Sequence, residues 1–181
     1  MRLKYLLLLA AIAFAQLRAA TAPAKPEGDP FDTSATRQKI EELGIPTPAK
    51  VHDLQMAAES LAAQQRWKEG ADAYGQLAKV ANWLSNVESA ALKPYYTAGY
   101  DEKKEYPYSA MAPLIAIEKR VNDLRGLRDH AMVQEAKCYV NSGDKERALQ
   151  LLVGSLSLID IKNQTDWNQA QSLLFGIIEV K

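Results

Sequence analysis

The chain has 181 residues, enough for one domain with terminal extensions and a core that needs no disulfide or metal staple. Lysine plus arginine equals aspartate plus glutamate at 22 each, so no net field recruits nucleic acid or an anionic membrane. The single cysteine, Cys138, excludes an intramolecular disulfide and a cysteine-based metal cluster.

Met1-Arg2-Leu3-Lys4-Tyr5 is a short basic leader ahead of the apolar run Leu6 to Ala15, and Ala13-Phe14-Ala15 offers the small residues that a signal peptidase reads. This three-part pattern predicts a secretory signal peptide over 1–20, cleaved near Ala15 to Ala20. Read instead as a membrane anchor, ten apolar residues are half of the ~20 that span a bilayer, so no span is expected after signal removal. The expected location is periplasmic or secreted, and the compact leader looks bacterial.

Residues 21–46 read as a flexible linker. Thr21 to Pro30 is rich in proline and glycine and has nothing to bury. A short helix is expected from about Ala35 to Leu43, with only Ile40 and Leu43 as an apolar face, stopped by Gly44 and Pro46.

The domain is expected over 47–181. Thr47-Pro48 opens a helix with a hydroxyl cap and a proline whose missing N–H is harmless there. Leu54, Ala57, Ala58 and Leu61 follow at helical spacing, and Arg66-Trp67 turns the chain into a second helix. Gly70, Tyr74, Leu77, Ala81, Leu84, Val87 and Ala91 carry the stripe of that helix toward Pro94. Lys93 to Tyr108 breaks the pattern with Pro94, Gly99 and Pro107, and holds Tyr95, Tyr96, Tyr100, Tyr106 and Tyr108. It reads as a long loop, a feature that is often functional in compact domains.

A helix is expected from Pro113 to about Gly126, on Leu114, Ile117, Val121 and Leu124, and another from about Asp129 to Asn141. Cys138 falls inside the latter and reads as a small buried apolar residue. Gly143-Asp144 turns into a helix carrying Ala148, Leu151, Leu152, Leu156 and Ile159, with Asp144 as its cap. A last helix starts at Thr165-Asp166, with Thr165 as cap, and uses Trp167, Ala170, Leu174, Ile177 and Ile178. Asn163-Gln164-Thr165 also matches a glycosylation acceptor, a triplet common by chance. No strand pair or hairpin turn interrupts the series, so the fold class is all-α.

Shifting the chain by 78 residues places Leu54 on Met132, Ala58 on Ala136, Leu61 on Tyr139, Gly70 on Ala148, Tyr74 on Leu152 and Val80 on Leu158. Small residues at Ala58, Gly70, Ala136 and Ala148 suit helices that cross closely. The run Ala136-x2-Tyr139-x3-Gly143-Asp144-x3-Ala148-x3-Leu152 resembles a tetratricopeptide repeat, and Ala58-x2-Leu61-x5-Trp67-x2-Gly70-x3-Tyr74 resembles a degenerate one. The offset is slightly over twice the ~34-residue period of that family, leaving room for a distorted middle unit. Gln65 and Gln171 depart from the family pattern. The resemblance implies antiparallel hairpins stacked as a short α-solenoid; the alternative is an ordinary helical bundle whose small residues happen to align.

His52 and His130, the only histidines, superpose under the same shift. The resemblance places them, with Gln55, Glu59, Val133, Lys137 and Asn141, on a concave groove that binds a protein or peptide. A second reading leaves both histidines as exposed helix-start residues without a task. No His-x3-His or His-Glu-x2-His spacing exists, so no metal or other cofactor is expected. Glycine-rich phosphate loops, nucleophile elbows and zincin helices are missing, which argues against catalysis. The tyrosines read either as an interface, where their area comes with little rotamer entropy to lose, or as cover for the core. The expectation is an exported non-catalytic adaptor that dimerises or docks in an envelope complex. The runner-up is a carbohydrate- or small-ligand-binding module built on Tyr95 to Tyr108.

Overall fold

The computed structural model describes residues 32–93, 95, 99 and 104–179. The expected signal peptide, the whole of the Thr21–Pro30 tether and the candidate residues Tyr96 and Tyr100 lie outside the described residues. The chain divides into two compact units, Met1–Glu42 and Leu43–Lys181. The short helix α1 spans Ser34–Leu43 and buries no residue. Asp32 accepts the Ser34 N–H at 2.9 Å ahead of it, and Gly44 follows it with φ +68°, a left-handed turn that glycine takes without strain.

The second unit is all-α, with no strand among the described residues. Helix α2 (Pro48–Ala63) starts as the sequence predicts: Thr47 Oγ1 accepts the Lys50 N–H at 3.1 Å, with Pro48 in the first helical position. It turns into α3 (Trp67–Ala90) through Gln65, whose φ of 58° is left-handed. Two bonds close that turn, Gln65 N–H to the Ala62 carbonyl and Arg66 N–H to the Leu61 carbonyl, both at 3.0 Å. Gly70 then lies where three helices meet. A Cβ there would stand 3.4 Å from Cys138 Sγ and 3.6 Å from the Ala62 backbone nitrogen.

Helix α4 is a single element of 35 residues, Tyr108–Ser142, about 50 Å long. This corrects two expectations. The helices over Pro113–Gly126 and Asp129–Asn141 are one, and Tyr108 belongs to a helix rather than to a loop; Lys104 and Glu105 are helical as well. Gly126 keeps helical backbone because Val121, Leu124 and Leu127 are wholly or partly buried around it, the two leucines against the main core. That packing outweighs the ~1 kcal/mol by which an interior glycine weakens a helix. Between the two hairpins the described residues lie largely in these two long helices. The outer end of α3 and the first half of α4 fill that interval as continuations of their helices, joined by the Arg120–Glu88 ion pair at 3.0 Å.

The chain next turns at Gly143, φ 85°, into α5 (Lys145–Leu158) and then into α6 (Gln164–Ile178). Gly143 N–H donates to the Val140 carbonyl at 3.1 Å and Asp144 N–H to the Tyr139 carbonyl at 2.9 Å. These are the two bonds of the Gln65 turn, moved by 78 residues. The first bond of the next helix corresponds too: Gly70 N–H to Arg66 carbonyl at 2.8 Å, Ala148 N–H to Asp144 carbonyl at 3.2 Å. Asp144 caps α5 by accepting the Arg147 N–H at 3.2 Å. The cap of α6 is Asn163, not Thr165; its side chain accepts the Asp166 N–H while its Nδ2 donates to Asp166 Oδ2 at 2.8 Å. Held from both ends of one amide, Asp166 cannot open the helix at Thr165.

Helix α3 packs on α2 and α4, α5 packs on α4, and α6 closes against α5 and α4. One core cluster joins Val51, Ala58, Tyr74, Leu77, Ala131 and Cys138; a second joins Val133, Ala136, Leu152, Ile159 and Ala170. The apolar stripes run out at the helix ends. Val87, Ala91 and Ile178 are exposed, and Leu158 is 53% exposed although Val80, its counterpart under the 78-residue shift, is 2% exposed.

Candidate ligand-binding groove

A groove of about 710 Å3 runs between α3, α4 and α5. Helix α3 lines it with Asp72, Gly75, Gln76, Lys79 and Asn82, α4 with Arg128, Met132, Glu135 and Tyr139, and α5 with Leu151 and Leu158. The four α4 positions recur every three or four residues, so they share one face of that helix. The volume is within the range of small-molecule and peptide pockets, but the lining carries more charge than most.

Most of those charges already have partners. Arg128 donates Nε and Nη2 to Asp129 Oδ1 at 2.8 and 2.6 Å, and Nη1 to Asn82 Oδ1 at 3.1 Å. Burial lifts the Asp129 carboxyl above its ordinary value against the pull of Arg128, with Asp166 and Asp160 raising it further. Arg147 sits 5.7 Å from the Tyr139 ring centre and 3.4 Å from Asp144, at the α5 end of the groove.

Glu135 differs. Its carboxylate lies over Gly75, where a Cβ would come within 2.9 Å of Oε1. Desolvation pushes it up to about 7, against the attraction of Lys79 and with repulsion from Asp72. Only a residue without a side chain lets the carboxylate settle that deep against α3.

The residues expected at the partner site lie elsewhere. None of His52, Gln55, Glu59, His130, Lys137 and Asn141 is among the groove's lining residues. Val133 is corrected outright: it is 0% exposed, inside the second core cluster. On α2, His52 is exposed and Gln55 Nε2 donates to Glu59 Oε1 at 2.8 Å along the helix. On α4, helix α6 takes up part of the expected face. His130 Nδ1 meets Asp166 Oδ1 at 2.8 Å and Gln134 Nε2 donates to Gln169 Oε1 at 3.2 Å. Lys137 and Asn141, further along that stripe, stay exposed. Among the tyrosines, Tyr95 and Tyr106 pack edge to face at 6.0 Å, and Tyr108 is 74% exposed at the start of α4.

Sequence reasoning missed Glu135, Gly75, Arg128 and Asn82. The one available signal was Gly75 within a strong helical pattern, since an interior glycine that weakens a helix marks a close approach. Among the described residues, no group of three or more histidine, cysteine, aspartate or glutamate side chains is placed to hold a metal ion. No helix there is long and apolar enough to cross a membrane. Cys138 is buried as a free thiol, and burial raises it above its ordinary value. No protein-family model matches the chain, and no curated protein or solved structure is significantly similar to it.

Proposed function

We propose that this chain is an exported, non-catalytic adaptor of tetratricopeptide-like build that holds a peptide segment of a protein partner in the α3–α4–α5 groove. The observation that carries this reading is the groove itself: about 710 Å3, open, and walled by three helices of one packed unit. Such walls are ordered before a ligand arrives, so little conformational entropy is lost on docking. Met132, Leu151 and Leu158 offer apolar contact along it, while Gln76, Asn82 and the charged residues offer hydrogen bonds to a polar backbone. The corresponding turns at Gln65 and Gly143 support the repeat-like build. Export follows from the leader pattern of residues 1–20. The Tyr95 and Tyr106 rings meet edge to face, so part of their aromatic surface is spent on each other.

Affinity capture from a bacterial envelope extract, compared between the wild-type chain and two variants, tests this. Gln76→Trp fills the groove from an exposed α3 position, and Tyr108→Ser alters the far end of α4. Partners recovered by wild type should be lost with Gln76→Trp and kept with Tyr108→Ser, as read by quantitative mass spectrometry. Equal recovery by Gln76→Trp would place the partner site elsewhere.

A further inference from the structure

Helix α6 is apolar without being buried. No charged residue occurs from Trp167 to Ile178, and six of the nine residues from Ala170 to Ile178 are apolar, yet the only buried residues of the helix are Asp166 and Ala170. Ala170, Leu173 and Ile177, three and four apart, form the face turned to the second core cluster. Trp167, Gln171, Leu174 and Ile178 form the next stripe round the helix, with Phe175 beside it. Cover thins along that stripe: Trp167, Gln171 and Leu174 are half-buried, while Ile178 is 47% and Phe175 39% exposed. The two hairpins show what such a stripe takes. Trp167 and Leu174 lie 35 residues after Met132 and Tyr139, so Gln171 stands where Ala136 stands on α4 and Ala58 on α2. Ala58 shares a core cluster with Tyr74 of α3, and Ala136 with Leu152 of α5. Each of those stripes receives the helix that follows it. Helix α6 packs on α5 and α4, and no described helix follows it to fill the same place.

We propose that this stripe is a homodimer interface, on which α6 of a second copy packs antiparallel about a two-fold axis passing between Gln171 and Leu174. The stripe is its own complement under that operation. Trp167 of one copy meets Ile178 of the other, and Gln171 meets Leu174, each contact made twice. The two Gln171 amides fall within one turn of each other across the axis. An amide carries both donor and acceptor and can pair with its own copy, where a lysine or a glutamate would be repelled. With no charge between Trp167 and Ile178, nothing on the face opposes a copy of itself and nothing on it selects a charged partner. A 15-residue helix is about 22 Å long, and one helix pair covers less than the ~800 Å2 per partner of a standard interface, so association belongs in the micromolar range. None of these residues lines the α3–α4–α5 groove, so the inference stands apart from the peptide-binding reading.

Sedimentation velocity of the full chain, up to roughly 200 µM, tests this. Wild type should pass from monomer to dimer across the series. Gln171→Glu and Gln171→Lys should each weaken self-association by tenfold or more, because each brings like charges together at the axis. An equimolar mixture of the two should dimerise at least as tightly as wild type. Phe175→Ser, at the exposed edge of the stripe, should weaken association without placing a charge there. Every variant carries the same leader, so association through residues 1–20 would not respond to position 171. A wild type that stays monomeric throughout would overturn the proposal and leave the α6 face to a different protein. Dimers of equal affinity in wild type and all three variants would place the contact elsewhere, and loss in both charged variants without recovery in their mixture would overturn the two-fold register.

Discussion

Gln65 and Gly143 occupy the same place in two hairpins and carry the same pair of turn hydrogen bonds, yet one has a side chain and the other has none. The difference continues into the cores. Where the α2–α3 hairpin places Tyr74 and Leu77, the α4–α5 hairpin places Leu152 and Ser155, all four buried. The Ser155 hydroxyl must turn back to the Leu151 carbonyl at 2.8 Å, whereas Leu77 contributes a full apolar side chain. The first hairpin therefore tolerates a strained turn on a larger core, and the second joins an unstrained turn to a thinner one. Glu135 widens the contrast, since Ala57 stands at its place in the first hairpin. The hairpin with less apolar packing also contributes the desolvated acid of the groove.

The largest effect should come from the core. Leu77→Ala should lower stability by about 2–5 kcal/mol, read as a lower urea midpoint, since a fully buried leucine leaves both lost transfer energy and a cavity. Ser155→Ala should change it by far less, because a serine side chain contributes little apolar burial. Equal effects at the two positions would remove the contrast between the hairpins.

Glu135→Gln comes next and depends on pH. The folded value of about 7 lies above the ordinary 4.5, so the folded state binds more protons between them. The contribution of the group is therefore fully present below pH 4.5 and is lost as pH rises through 7. Glu135→Gln should stabilise the fold at pH 8 by about 1–3 kcal/mol, less than the full shift implies because the groove is open to water on one side. Near pH 4 it should be neutral. A thermal melting series over pH 4–8 reads both limits.

Turn strain should give smaller and opposite changes. Gln65→Gly should raise stability by about 1 kcal/mol, and Gly143→Gln should lower it by a similar amount, because only glycine takes left-handed backbone without steric strain. The urea midpoints of the two variants should move in opposite directions. Smallest of all, Gly126→Ala should add up to about 1 kcal/mol. A Cβ there meets nothing within 4 Å, so the helix gains propensity without a clash.

Much of the scaffold was legible before any coordinates. The Thr47 and Asp144 caps, the turns at Gln65 and Gly143 and the buried notches at Ala58, Gly70, Ala136 and Ala148 each depend on residues a few positions apart. The α6 cap was misplaced by two residues because Asn163, Thr165 and Asp166 all have capping side chains, and only their mutual hydrogen bonds select Asn163. Of the groove, the sequence marked almost nothing. Asp72, Lys79, Arg128 and Glu135 look like ordinary charges on solvated helix faces until three helices meet around them.

Within one or two helical turns, the spacing of polar caps, left-handed residues and small side chains is enough to determine structure, because those interactions close over short stretches of chain. The unbroken run of α4 through Gly126 and the exposure of one face of that helix rather than another depend on long-range packing. Leu124 and Leu127 join the core shared with α3, which keeps the helix continuous through its glycine. Helix α6 covers the His130–Gln134 stripe and leaves the Glu135 face open. Apolar burial has no direction of its own, so the identity of the face that closes is a property of its neighbours.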